Sequence, residues 1–102
     1  NLDFHFVGCF NMYNSKNDPA IPSIEGTDAI LDGDSSTRRH AIVKCARSAW
    51  TEGYQVFGIA SGSCHTSGSA HDTYNKHGKA EDCNQQGVYR VYNFTSKIIT
   101  IN

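Results

Sequence analysis

The sequence predicts an α+β fold: one main helix packed on a mostly antiparallel β-sheet, with a short second helix and disulfide links. Three observations carry this. Residues 38–66 read as a helix, a glycine stop, a buried strand and a Ser/Gly-rich loop. Residues 88–94 alternate as a half-buried strand does. The 102 residues include four cysteines, an even set without a C-x-x-C pair, which fits two disulfides better than a zinc ribbon or a thioredoxin-like redox site.

The helix is expected over 37–52. Ile42, Cys45, Ala46 and Ala49, with Trp50 beside them, follow the i, i+3, i+4, i+7 spacing of one apolar face. Ser35, Ser36 and Thr37 offer N-cap oxygens, and Gly53 stands where a left-handed residue would end the helix. The β-branched and aromatic run that follows predicts a strand at 54–60. Upstream, a strand is expected at 4–10, with Phe4 and Phe6 on one face and His5, Val7 and Cys9 on the other. Residues 11–22 are polar and loop-like, with Pro19 and Pro22 bracketing Ala20-Ile21. Ile24, Ile30 and Leu31 read as anchors that pin an irregular segment to the core. Downstream, Ser69 as cap and Gly78 as stop predict a short helix at 70–77. Lys79 to Gln86 is a loop carrying Cys83. Strands at 87–94 and 97–101, joined through Thr95-Ser96-Lys97, predict a terminal hairpin. Four cysteines allow three connectivities. A helix antiparallel to the next strand brings Cys45 near the loop after that strand, so Cys45–Cys64 with Cys9–Cys83 is the expected pairing.

Length predicts a single domain, 1–102, with a modest core that cross-links would help. The formal net charge of -1 argues against nucleic acid, because neutralising a phosphate backbone needs a basic excess. No apolar run approaches the ~20 residues of a membrane span. Paired cysteines, a first residue Asn1 and the sequon Asn93-Phe94-Thr95 fit a processed, secreted, extracellular product, with Asn93 the glycosylation candidate.

Motifs for metal and catalysis are missing. Asp32-Gly33-Asp34-Ser35-Ser36 invites a calcium reading, but the sixth and twelfth positions of an EF-hand loop hold Thr37 and Val43. It reads as a turn before the helix. No H-E-x-x-H, G-x-S-x-G or P-loop occurs. His71 and His77 are too far apart to share a helix face as metal ligands. Ser63, His65 and Asp72 could be written as a triad, but a triad is a matter of geometry. The expectation is a binding protein, not an enzyme, with no metal and no cofactor.

Several strings, taken in order, point to a family. They are Val7-Gly8-Cys9-Phe10, Ala20-Ile21-Pro22-Ser23-Ile24-Glu25-Gly26 and Leu31-Asp32-Gly33. They continue with Arg39-His40-Ala41-Ile42-Val43-Lys44-Cys45-Ala46, Gly53-Tyr54-Gln55-Val56-Phe57-Gly58, Tyr74-Asn75-Lys76-His77-Gly78 and Val88-Tyr89-Arg90. Together they resemble a cysteine-paired extracellular module of marine invertebrates, the small bivalve lectins of the venerid clam type. One departure is local: related modules often carry a Gly-rich insert with a Trp after the last cysteine, whereas Cys83-Asn84-Gln85-Gln86-Gly87 is short. The helix–strand–cysteine layout also looks loosely like PAN and WSC modules, which are extracellular binding domains. The resemblance implies a lectin for N-acetylglucosamine and N-acetylgalactosamine, serving recognition of microbial or foreign glycans in innate immunity.

Residue chemistry offers a place for such a ligand. An acetamido sugar needs a few directed polar groups and a small apolar contact. The Ser61–Ser69 stretch supplies unshielded backbone and hydroxyls, and Asp72 and Arg90 supply charge. The sugar-binding candidates are therefore Ser61, Gly62, Ser63, His65, Thr66, His71, Asp72 and Arg90. Avidity favours a non-covalent homodimer or a dimer with a related chain. The competing expectation is an extracellular adhesion or matrix module without a sugar site. A secreted antimicrobial role lacks the cationic face that membrane attack favours.

Overall fold

The computed structural model describes residues 2–14 and 17–95. The elements are β1 (Phe4–Asn11), α1 (Ala41–Thr51), β2 (Val56–Ala60), β3 (Ser63–Thr66), α2 (Ala70–Thr73) and β4 (Val88–Phe94). The strands form one antiparallel sheet in the order β1-β4-β2-β3. The fold class is thus the expected α+β. The expected strand at 97–101, and with it the terminal hairpin, lies outside the described residues.

Helix α1 begins later than its periodicity suggests. Ser35, Ser36 and Thr37 do not cap it. They are held in a turn in which the Asp34 carboxylate accepts from the Ser36 backbone N–H and hydroxyl. Arg38 is drawn into a buried ion pair, and His40 precedes the helix in the left-handed region at φ 57° with no side-chain cap. The C-terminal end behaves as expected. Gly53 sits at φ 81°, its N–H donates to the Trp50 carbonyl, and Tyr54 N–H donates to the Ala49 carbonyl. These are the two bonds of a Schellman stop. Cys45, Ala46 and Ala49 are fully buried and Ile42 packs beside them, so the apolar face meets the sheet.

Two cores lie on opposite faces of the sheet. The first joins Cys45, Ala46 and Ala49 of α1 to Phe57, Ile59, Cys64 and Phe94, with Leu31 buried among them and Ile24 and Ile30 alongside. The second packs Phe10, Val56, Tyr89 and Val91 against Ala20, Ile21 and Ala70. Ile21 has no exposure, which by side-chain burial alone stabilises by about 1.5–3 kcal/mol. Tyr89 fixes the same loop: its hydroxyl donates to the Ile21 carbonyl at 2.7 Å and accepts from the Ile21 N–H at 3.1 Å. Burial pushes the Tyr89 phenol up to about 12, so it stays a donor.

The register of β1 breaks the simple alternation read from its sequence. A bulge at Val7 lies between the pairs Phe6–Tyr92 and Gly8–Val91. The extra residue lets Phe4 pack with the α1 core while Phe10 reaches the other one. Both sheet edges are covered. Ala80 N–H donates to Cys9 and Asn11 N–H to Gly78 along β1, and Thr66 N–H donates to Pro22 with Ile24 N–H to Cys64 along β3.

Strand β3 is the main correction. Residues 61–66 were expected as a loop. Only Ser61 and Gly62 form the turn, both at positive φ (50° and 85°), as in a two-residue primed hairpin. Ser63–Thr66 then pairs with β2, because polar side chains are tolerated there once satisfied. Thr66 is buried and its hydroxyl donates to the Val56 carbonyl at 2.7 Å. Strand β2 is also shorter than the expected 54–60, since Tyr54 is taken by the helix stop. Helix α2 spans one turn, not 70–77. Beyond it Lys76 and Gly78 N–H groups close tight turns on Thr73 and Asn75.

The disulfides are Cys45–Cys64 and Cys9–Cys83, the expected pairing, and no cysteine is free. Among the described residues no helix is long and apolar enough to cross a membrane.

Candidate functional site

A depression of about 640 Å³ lies where the β2–β3 turn meets the start of β4. Three segments line it. The first is Ser61 and Gly62 with Ser63 and His65 of β3; the second runs from Cys83 to Val88 and Arg90; the third is Met12 and Tyr13 after β1. Strand alternation sends Arg90 to the α1 side of the sheet, with Ile59, and Ser63 and His65 to the side of Tyr89. The depression therefore caps the end of the sheet and takes residues from both faces.

Cross-links position these segments. Cys83 is tied to Cys9, three residues before Met12, and Met12 N–H donates to the Gly87 carbonyl at 2.8 Å. Within the loop the Asp82 carboxylate accepts from Asn84 N–H and the Asp82 carbonyl from Gln85 N–H. Opposite, Gly62 is the residue the turn requires: a Cβ there would collide with the Ser35 carbonyl oxygen. Its own carbonyl accepts from Arg38 at 3.2 Å.

Arg38 anchors that side. Its guanidinium is unexposed, donates to both oxygens of Glu25 at 2.6 and 2.8 Å, and also reaches the Asp32 carbonyl. Arg38, together with the N–H of Cys64, holds the Glu25 carboxyl below its ordinary range against the opposing effect of burial. Arg90 is different. Its one hydrogen bond goes to a neutral group, the Asn84 carboxamide oxygen, at 2.7 Å. Among the described residues no Asp, Glu or Lys lines the depression, and Arg90 is the single fixed charge there.

His65 is buried against Tyr89, ring centroids 5.0 Å apart, and burial lowers its pKa; the Ile21 carbonyl and the Glu25 charge oppose that shift. At neutral pH it is an uncharged imidazole. Its Nε2 lies 2.7 Å from the Ser63 hydroxyl oxygen. That hydroxyl donates its one proton to the Ala60 carbonyl, so Nε2 carries the ring proton and donates to Ser63. The pair buttresses the turn; the serine proton is directed away from the imidazole.

Five expected site residues thus come together: Ser61, Gly62, Ser63, His65 and Arg90. Three do not. Thr66 is buried with its hydroxyl committed, and His71 and Asp72 of α2 lie off the lining, exposed and paired with each other at 3.4 Å. Sequence reasoning missed Tyr13, 43% exposed, and the carboxamides Asn84, Gln85 and Gln86. One signal could have found them: a Cys9–Cys83 link sets the residues after Cys83 beside those after Cys9.

Two smaller depressions, about 320 and 290 Å³, share Asp28 and Ser48 beside α1. Asp28 is already committed there, accepting from Ile30 N–H and the Ser48 hydroxyl. Among the described residues no three His, Cys, Asp or Glu side chains converge as a metal site would require. The sequon Asn93 lies within β4, its carboxamide oxygen accepting from Gln55 at 2.8 Å. Comparisons with protein-family models, with curated proteins and with solved structures each return no match to this chain.

Proposed function

We propose that this chain is a secreted, metal-independent carbohydrate-binding domain for N-acetylated sugars, and that its site is the depression at the end of the sheet. The observation that supports it is the lining. One exposed aromatic residue (Tyr13), three carboxamides (Asn84, Gln85, Gln86) and one arginine line the depression beside the Ser61–Gly62 turn. Carboxamides match the paired donors and acceptors of hydroxyl and acetamido groups, and a tyrosine face suits the apolar side of a sugar ring. Asp72 lies off this lining, whereas Tyr13 and the carboxamides are part of it.

Binding is preferred to catalysis because, among the described residues, no acid hydrogen-bonds to His65 Nδ1 as a triad would require, and the Ser63 proton is spent on Ala60. Few directed contacts and an open rim imply affinity near millimolar per site, about -4 kcal/mol. Useful avidity then requires a second site, supplied by a non-covalent homodimer or a related chain.

Retention on immobilised N-acetylglucosamine and N-acetylgalactosamine tests the reading. Elution by the free sugars and loss of retention in Tyr13→Ala are expected. A blank glycan array combined with specific protein partners in pull-downs would replace it with the adhesion-module reading.

A further inference from the structure

We infer that the depression prefers acidic N-acylated sugars, those carrying a carboxylate as well as an acetamido group, and that Arg90 receives the carboxylate. This rests on the carbohydrate reading above and narrows its ligand class. Three observations carry it. Among the described residues Arg90 is the single fixed charge on a lining otherwise made of hydroxyl, carboxamide, imidazole, backbone and apolar groups. Its guanidinium makes one hydrogen bond, to a neutral carboxamide, leaving most of its five N–H donors for another acceptor. The nearest acid along the loop, Asp82, is turned to its own backbone, where it holds Asn84 and Gln85.

A planar guanidinium suits a carboxylate in a two-pronged pair, and charge-assisted hydrogen bonds are about twice as strong as neutral ones. Asn84 orients Arg90 without competing for its charge. The attraction is local, since the chain as a whole carries -1 and offers anions no general field. Neutral acetamido sugars would use the same Tyr13 and carboxamide contacts and leave Arg90 hydrated. Acidic acetamido sugars should therefore bind about tenfold or more tightly than their uncharged counterparts.

The full chain is titrated calorimetrically with four probes: methyl α-N-acetylneuraminide, its methyl ester, N-acetylmuramic acid and N-acetylglucosamine. Expected is at least a tenfold advantage of the free acid over its ester. The advantage should shrink between about 0.01 M and 0.15 M ionic strength, where the Debye length falls from ~30 to ~8 Å. It should vanish in Arg90→Gln and persist in part in Arg90→Lys. Comparing the neuraminide with the muramic acid tells an animal-surface source of the ligand from a bacterial-wall source. Equal binding of acid and ester overturns the inference while leaving the carbohydrate reading intact if N-acetylglucosamine binds. No binding of any probe overturns both. An acid preference that survives in a folded Arg90→Gln protein also overturns the role of Arg90. If that variant does not fold, the acid-to-ester ratio of the natural chain still decides.

Discussion

The two sides of the Ser61–Gly62 turn carry the same side chain to opposite ends. On one side Arg38 is unexposed, paired with both oxygens of Glu25, and satisfied further by two carbonyls. On the other, Arg90 faces an open depression with a single carboxamide partner. The difference is whether a carboxylate is built in. Burying a guanidinium is expensive, and Arg38 is tolerated because Glu25 and the surrounding carbonyls replace its water. Arg90 avoids that cost by staying partly solvated, with its charge unpaired by any acid among the described residues. Each side also has its own disulfide. Cys45–Cys64 is buried in the α1 core, and Cys9–Cys83 fastens the loop that forms the pocket wall.

Removing the disulfides one at a time should break the molecule in two different ways. Loop-closure entropy assigns about 3 kcal/mol to a 19-residue separation and about 4 kcal/mol to one of 74. Both Cys→Ala double variants should therefore lose several kcal/mol in urea titrations. Cys45→Ala/Cys64→Ala also empties fully buried space, yet whatever fraction stays folded should bind sugar normally. Cys9→Ala/Cys83→Ala should lose binding at temperatures where its circular dichroism is still native. The reverse assignment would mean that the 83–87 loop is not the site's wall.

The two arginines come next in size. Arg38→Met strands Glu25 beside the turn, and breaking a buried pair costs about 3–5 kcal/mol. Glu25 keeps some water (its side chain is 27% exposed), so the lower end of that range applies. Arg90→Gln should stay within about 0.5 kcal/mol of the natural chain, as surface changes do. Similar losses for the two variants, read from urea midpoints, would remove the distinction between a structural and a ligand-facing arginine.

A smaller effect concerns acid. The His65 pKa is lowered in the folded chain, so below the ordinary histidine value of about 6.5 the unfolded chain takes up the proton more readily. Stability should begin to fall as pH drops through 6.5. Glu25, whose pKa is also lowered, adds a separate loss only below about 4.3. His65→Gln should remove the first decline and leave the second. A melting-temperature profile from pH 7.5 to pH 3 that keeps both declines in the variant would assign the first to another group.

The smallest effects are expected off the depression. Asp72→Ala should leave bead binding unchanged, because Asp72 is 75% exposed and paired only with His71. EDTA should likewise leave binding unaltered. Loss of binding in either experiment would move the site toward α2 or toward a bound cation.

Much of this architecture can be read in the chain. The apolar spacing of Ile42, Cys45, Ala46 and Ala49 marks the buried helix face, and Gly53 marks its end, because periodicity and left-handed geometry are local properties. The pairing of Cys45 with Cys64 follows from a helix folding back on the next strand. The start of α1 was not legible: Ser35 to Thr37 have the right chemistry for a cap, but Glu25 claims Arg38 from across the fold. Strand β3 was hidden for a related reason. Ser63-Cys64-His65-Thr66 has the composition of a loop, and its place in the sheet is secured by Val56 of the neighbouring strand and by the more distant Pro22, Glu25 and Cys45.

The candidate site divides along the same line. By itself the sequence determined which residues are small, polar or charged, and so placed Ser61, Gly62, Ser63, His65 and Arg90 among the candidates. Only the tertiary structure decided that Thr66 is spent on the Val56 carbonyl, that Asp72 stands apart, and that Tyr13 and Asn84–Gln86 complete the lining. It also decided which arginine has an acid for a partner. Glu25 lies 13 residues from Arg38, and among the described residues no acid lines the depression beside Arg90. A side chain's type is fixed by the sequence, but its partner is fixed by contacts that chain folding creates, and the partner determines whether a charge holds the fold or faces a ligand.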